Sequence, residues 1–308
     1  MGAALDMMQL STPRIRSGNT LRMALARTIR DDNIWRVEDQ PGGRALPWIR
    51  STRIDTNAQF SPDGAKIALQ SNRSGSVEIW VCRSDGSNPM PVTAFGGAQI
   101  GGPHWSPDGE RLVFHARPEG HADVYVVNIA GGPPRRLTHQ TSNDAGPSWS
   151  RDGRFVYVES DRGGTKQVWK MPAEGGQPVQ VTRHGANVPI VSPDGAWVFY
   201  AKETGLETSL WKVPAGGGHE SRVLESIVDI RGFFPVEEGI YFLSLGRSGA
   251  YLGFCDFAGR RARRIWELSK PASWGVSAWP VARGRPRTIL YSQMDQQGSD
   301  LMLLEMTR

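Results

Sequence analysis

The stretch Pro103-His104-Trp105-Ser106-Pro107-Asp108-Gly109, followed by Arg111 to Ala116, decides the fold. Pro107 pre-sets the backbone for a tight turn, Asp108 can cap N–H groups inside it, and Gly109 supplies a left-handed position that side chains resist. The flanking residues predict two short strands joined by that turn, Pro103 to Trp105 and Arg111 to Ala116. Asp123 to Ile129 predicts a third strand, Gly131-Gly132 a second turn, and Arg135 to Thr138 a fourth strand. The runs are short and β-branched, with no sustained 3.6-residue periodicity, so helices are not expected.

The unit repeats along the chain. Ser-Pro-Asp-Gly occurs at Ser61–Gly64, Ser106–Gly109 and Ser192–Gly195, and Ser-Arg-Asp-Gly at Ser150–Gly153, with degenerate forms at Ser17-Gly18, Glu238-Gly239 and Arg283-Gly284. The residues before these glycines, at 17, 63, 108, 152, 194, 238 and 283, define a period near 44. Trp80, Tyr125, Trp169 and Trp211 each follow their marker by 17 residues, and Trp35 by 18. Phe60, Trp105, Trp149 and Val191 precede theirs by three. A four-stranded antiparallel sheet of this length cannot bury both faces by itself. Copies packed face to face around an axis can, and the recurrent rings then fill the gaps between them. The fold class expected is therefore all-β, a β-propeller of four-stranded antiparallel blades in about seven repeats. One propeller domain is expected over residues 1–308, with repeats at approximately 9–50, 55–94, 100–139, 145–183, 187–225, 229–267 and 274–306.

The Ser-Pro-Asp-Gly turn, the third strands Glu78-Ile79-Trp80 and Asp123-Val124-Tyr125, and the ending Arg136-Leu137-Thr138 resemble TolB-type, WD-repeat-like propeller repeats. The resemblance is strongest in the second to fifth copies. It extends to the C-terminal part of longer bacterial proteins, many of which carry an N-terminal winged-helix DNA-binding domain that this sequence lacks. It implies a propeller, commonly of six blades, and binding rather than catalysis. The last copy, Val276–Pro280, Arg287–Ser292 and Asp300–Glu305, ends short of a fourth strand. A seven-bladed ring closed by N-terminal residues, with Ala3–Met8 as the donor, is thus expected; six blades or an open array are the alternatives.

Composition bounds the chemistry. The chain has 308 residues, 39% hydrophobic and 22% charged, with 36 Gly, 21 Pro and 11 Trp, and no apolar run of about 20 residues that would cross a bilayer. Met1 to Arg16 lacks the basic start and apolar run of an export signal, so the compartment stays open, cytoplasmic by default and periplasmic by family analogy. Cys82 and Cys255 form no disulfide framework or metal pattern. The net charge of +5 is not clustered into a basic stripe, so nucleic acid is not expected as a partner.

No catalytic motif is present, and no cofactor or metal is expected. The nearest approach to a nucleophile elbow, Gly246-Arg247-Ser248-Gly249-Ala250, fails the pattern. His115, His121 and Asp123 form the one histidine–carboxylate grouping close in sequence, and an exposed polar loop explains it more simply than a metal does. Function should then lie in the loops that join the fourth strand to the next first strand, and the second to the third. The candidate partner-binding residues there are Arg53, Asp55, Asn57, Arg117, His121, His139, Asp144, Arg183, His184 and Asn187. Their mixed charge suits a protein or peptide. A non-catalytic binding or ligand-sensing module is the leading expectation. A lyase or hydrolase with a central-channel site, and a fragment of a longer sensor protein, are the alternatives.

Overall fold

A computed structural model describes residues 15–17, 20–40, 42–204, 207–259, 261–278 and 287–307; side chains are described for these except 15–29, 204, 273–274 and 298–307. The described residues are all-β and contain no helix, hence none long and apolar enough to cross a membrane.

Five blades follow one another along the chain, each with its strands in sequence order. The first comprises Asp55–Phe60, Lys66–Ser71, Glu78–Arg83 and Met90–Pro91. The second comprises Gln99–Trp105, Arg111–Arg117, Asp123–Asn128 and Arg135–Arg136. The third runs Asp144–Trp149, Phe155–Ser160, Gln167–Pro172 and Val179–Gln180. The fourth runs Asn187–Val191, Trp197–Thr204, Glu207–Pro214 and Ser221–Leu224, and the fifth Phe233–Val236, Gly239–Gly246, Gly249–Asp256 and Ala262–Glu267.

The sixth blade is shared between the two ends of the chain. Ala272–Ala278 and Thr288–Thr307 supply its inner and second strands, while Thr20–Glu38 and Leu46–Ile49 supply the third and outer ones. Trp35 pairs with Tyr291 as Trp80 pairs with Leu69, so Trp35 holds the usual third-strand position. The inner strand of the sixth blade touches those of the fifth and the first, which closes the ring.

The blade number is therefore six, the alternative count, and not seven or an open array. The first and last sequence copies each carry a marker but are two halves of one blade. The segment Asp300–Glu305, expected as a separate third strand, continues the strand Thr288–Thr307 without a turn. Ala3–Met8, expected to close the ring, lies outside the described residues.

The turn chemistry repeats as its residues dictate. In the second blade Ser106 Oγ donates to Asp108 and accepts from Arg111 N (2.9 Å), Asp108 accepts from Glu110 N (2.9 Å), and Gly109 sits at φ +71°. The hydroxyl bond holds the Asp108 carboxyl below its ordinary range, and the same bond does so at Asp63, Asp152 and Asp194. Ser106 is fully buried, so Ser106→Ala leaves Arg111 N without its acceptor and should cost about 1–2 kcal/mol, read as a lower urea midpoint.

Six apolar clusters form the core, and each spans two neighbouring blades. Ala68 and Ile79 of the first blade, for example, pack with Trp105, Leu112 and Phe114 of the second. The Trp at the end of an inner strand ties its blade backwards: Trp105 Nε1 donates to the Gln59 carbonyl (3.0 Å) and Trp149 Nε1 to the His104 carbonyl (3.2 Å). The recurrent Trp and Tyr rings are thus blade-to-blade packing.

Candidate functional site

Each inner strand descends from the loop face into the central channel, and five of the six are bulged near their upper ends. A bulge places one extra residue in the strand and bends it, often through a left-handed position. Here those positions are Asn57, Gly102, Gly146, Val188 and Gly275, with φ of 52°, 66°, 53°, 47° and 91°. They surround a cavity of about 80 Å³ at the axis, together with His104, Arg231 and Phe233. At Gly102 the need for glycine is also steric, because a Cβ would lie 3.3 Å from His115 Nδ1. Val188 is the exception: a β-branched residue at φ 47° costs on the order of 1–3 kcal/mol. Its N–H donates to the buried carboxylate of Glu159 (2.8 Å), which pins the strained position.

Electrostatically the channel mouth is quiet. Burial pushes the His104 imidazole down to about 4, against the pull of its bond to the Trp105 carbonyl. Burial, aided by Arg231 and Arg117, pushes His115 down to about 3. Both rings are therefore neutral at pH 7. His115 Nδ1 is buried without a hydrogen-bond partner. Burial raises the Asp229 carboxyl, although the N–H and charge of Arg231 pull it back.

The ten loop residues expected at a partner face separate into scaffold and surface. Asp55 is fully buried and pairs with Arg73 (2.9 Å), and Asp144 is fully buried and accepts both oxygens' bonds from Arg162 (2.9 Å each). The guanidiniums of Arg73 and Arg162 lie over the rings of Trp80 and Trp169. Asn57 is half-buried and donates to Gln70 Oε1 (3.0 Å). Asn187 is buried between Lys166 (3.3 Å) and Glu203 (3.4 Å). Arg117 is half-buried against Asn143 Oδ1 (2.7 Å), and Arg53 is half-buried with its N–H on Ser51 Oγ (3.1 Å). His139, Arg183 and His184 are exposed, and the Arg183 N–H anchors its loop on Glu220 (2.8 Å).

His121 belongs to a cluster with Glu119 and Asp123 whose ligand atoms lie within 4.8 Å of one another. Arg136 already fills it, with its guanidinium 2.6 Å from Asp123 and 3.2 Å from Glu119. Asp123 also accepts from Thr138 Oγ1 (3.0 Å), a pairing repeated as Glu78 with Thr93 and Gln167 with Thr182. This grouping reads as blade architecture. His115, from the same sequence grouping, lies apart from it, beside Gly102.

Arg231, Glu159, Gln70 and the strained Val188 were not singled out by sequence reasoning. The bulge position itself carries a signal, a small or Asn residue six before the marker at Asn57, Gly102 and Gly146, but Val188 breaks it, and nothing comparable marks Arg231, Glu159 or Gln70.

The family model of the TolB beta propeller domain matches residues 89–278. Among solved structures, TolB from Acinetobacter baumannii aligns with a TM-score of 0.63 at 18% identity, over 88% of this chain and 66% of that one. The chain thus spans just under two thirds of that protein. A puromycin-hydrolyzing peptidase from Mycobacterium tuberculosis aligns with a TM-score of 0.56 at 14% identity, over 92% of this chain and 58% of that one. Oligogalacturonate lyase from Vibrio parahaemolyticus aligns at 0.55 and 13%, over 82% of this chain and 76% of that one. At these identities the likeness is one of fold.

Proposed function

Because the chain belongs to the TolB beta propeller domain family, we propose that it is a non-catalytic binding module that engages a protein or peptide through its loop face. The observation that carries this reading is the narrowness of the channel mouth. A cavity of about 80 Å³ holds a few water molecules, whereas small-molecule sites usually measure about 300–1,000 Å³. A partner must then cover the mouth rather than enter it. The exposed side chains available on the loops are polar and of mixed kind, including His139, Arg183 and His184, which suits the rim of a protein interface.

The test is a cross-linked pull-down from soluble and envelope fractions, comparing the native chain with the double variant Arg183→Ala, His184→Ala. Asn187 is left intact because it is buried. A partner recovered by the native chain and reduced about tenfold by the variant is expected. Equal recovery by both chains, or no specific protein with either, would count against engagement through this loop.

A second reading, an enzyme with a channel site, is favoured by one observation: the buried, unpartnered His115 Nδ1, which feels the charge of the cavity-lining Arg231. It requires that His115→Gln abolish turnover of a substrate while leaving the fold intact.

A further inference from the structure

The fourth and fifth blades do not close against each other as their neighbours do. In the first four blades a Ser-x-Asp-Gly turn links the inner strand to the second, and these turns overlap like shingles. A Cβ at Gly109 would lie 3.5 Å from Pro62 of the preceding blade, one at Gly153 3.8 Å from Pro107, and one at Gly195 3.2 Å from Arg151. In the fifth blade the turn is shorter. Val236 pairs directly with Gly239 across Glu237-Glu238, so no such turn reaches back to cover Pro193. The Trp that ties the second and third blades backwards is also missing at the end of the fifth inner strand, where Val236 stands.

The result is a cleft of about 500 Å³ between these blades, on the face opposite the loops and within the size range of small-molecule sites. One wall is aromatic: Trp197, the buried Phe199, and Phe257, which stacks on Phe199 and remains 39% exposed. Lys212 stands on the same wall, flanked in register by Phe199 and Ser221, with its ammonium 4.1 Å from the Trp197 ring centroid. Among the described residues no carboxylate lies within 4 Å of that ammonium. The acids of the cleft are otherwise placed. Asp194 is held by Ser192 and Ala196 N in its turn, Asp256 accepts from Gly259 N, and Glu237 is exposed at the rim. Arg222 is taken by Glu225 (2.9 Å). Asp194 feels the Lys212 charge only at longer range, so the ammonium has no close ion pair, and set in an aromatic wall it favours an anion attached to a planar apolar body.

We infer that this inter-blade cleft is a ligand site for a small planar aromatic carboxylate, with the carboxylate on Lys212 and the ring against Trp197 and Phe257. The site is independent of the loop-face reading and stands or falls separately from it.

The probe is 2-naphthoate, titrated calorimetrically against the full chain, with neutral 2-naphthalenemethanol as the comparison ligand. Sub-millimolar binding of the acid is expected, at least about tenfold tighter than the alcohol. Lys212→Met should remove that difference, Lys212→Arg should keep most of it, and Phe257→Ala should weaken both ligands. Thermal melts of each variant show that the fold is retained. Equal affinity for acid and alcohol, undiminished binding by Lys212→Met, or no heat with the native chain would each overturn the assignment.

Discussion

Carried from pH 7 to pH 4, the folded propeller should lose about 4–6 kcal/mol of stability through two histidines, a loss beginning near pH 6.5, well above the carboxylate range. The cause is a pair of histidines, His104 lining the axial cavity and His115 beside Gly102. Burial depresses His104 to about 4 and His115 to about 3, while each titrates near 6.5 once unfolded. A depressed folded value means that the stability is present above 6.5. It is lost as pH falls, because the unfolded chain takes up protons that the folded chain refuses. The turn carboxylates Asp63, Asp108, Asp152 and Asp194 are depressed as well, so they add a second loss as pH falls below their unfolded value of about 3.9. Asp229, raised chiefly by burial, acts in the opposite direction and offsets part of the first loss. Urea midpoints at pH 7, 6, 5 and 4 measure the effect. In the double variant His104→Gln, His115→Gln the segment between 6.5 and 4 should flatten, and an unchanged slope there would remove the histidines from the account.

Replacing Asp144 by Ala should cost about 3–5 kcal/mol, the largest single-residue loss expected from the loop face. Arg162, nearly as buried as the carboxylate it grips, is left uncompensated beside Trp169. Asp144→Asn should fall between the two, since it keeps the shape and one acceptor but loses the charge. The double variant Asp144→Ala, Arg162→Met should recover much of the loss, because removing both charges leaves no buried ion unpaired. Denaturant unfolding of the three variants decides it. A loss below about 0.5 kcal/mol for Asp144→Ala would mean that the pair is merely a surface contact.

These two experiments mark the boundary between what the amino-acid order declares and what only the fold reveals. The blade was legible because its turn needs particular chemistry: Ser106, Asp108 and Gly109 each do something no other residue type does as well, so they recur at a visible period. The blade number was harder to read, because Trp35 and Arg283 both obey the period while the segments around them complete a single sheet. Spacing records position along the chain and carries nothing about which partner a strand finds across the ring. Asp55 and Asp144 looked like free loop acids for a related reason. Their arginines, Arg73 and Arg162, lie 18 residues away in both blades, across the hairpin. That shared interval was available in the sequence as a pairing signal. Val188 had no such signal, since nothing in a valine announces a left-handed backbone.

The shared sixth blade also bears on how the molecule is made. Glu38 pairs with Thr288, and Asp39 N donates to the Arg287 carbonyl at 2.9 Å, contacts bridging about 250 positions. On a ribosome adding roughly 5–20 residues per second, the early strand waits roughly 10–50 s for its mate. The five intervening blades can form meanwhile, each stacking on the one before. During that interval the first and fifth blades both show a bare apolar flank, so the nascent chain passes through a sticky stage whose duration is set by translation speed. Slower elongation prolongs that exposure, and closure of the ring ends it.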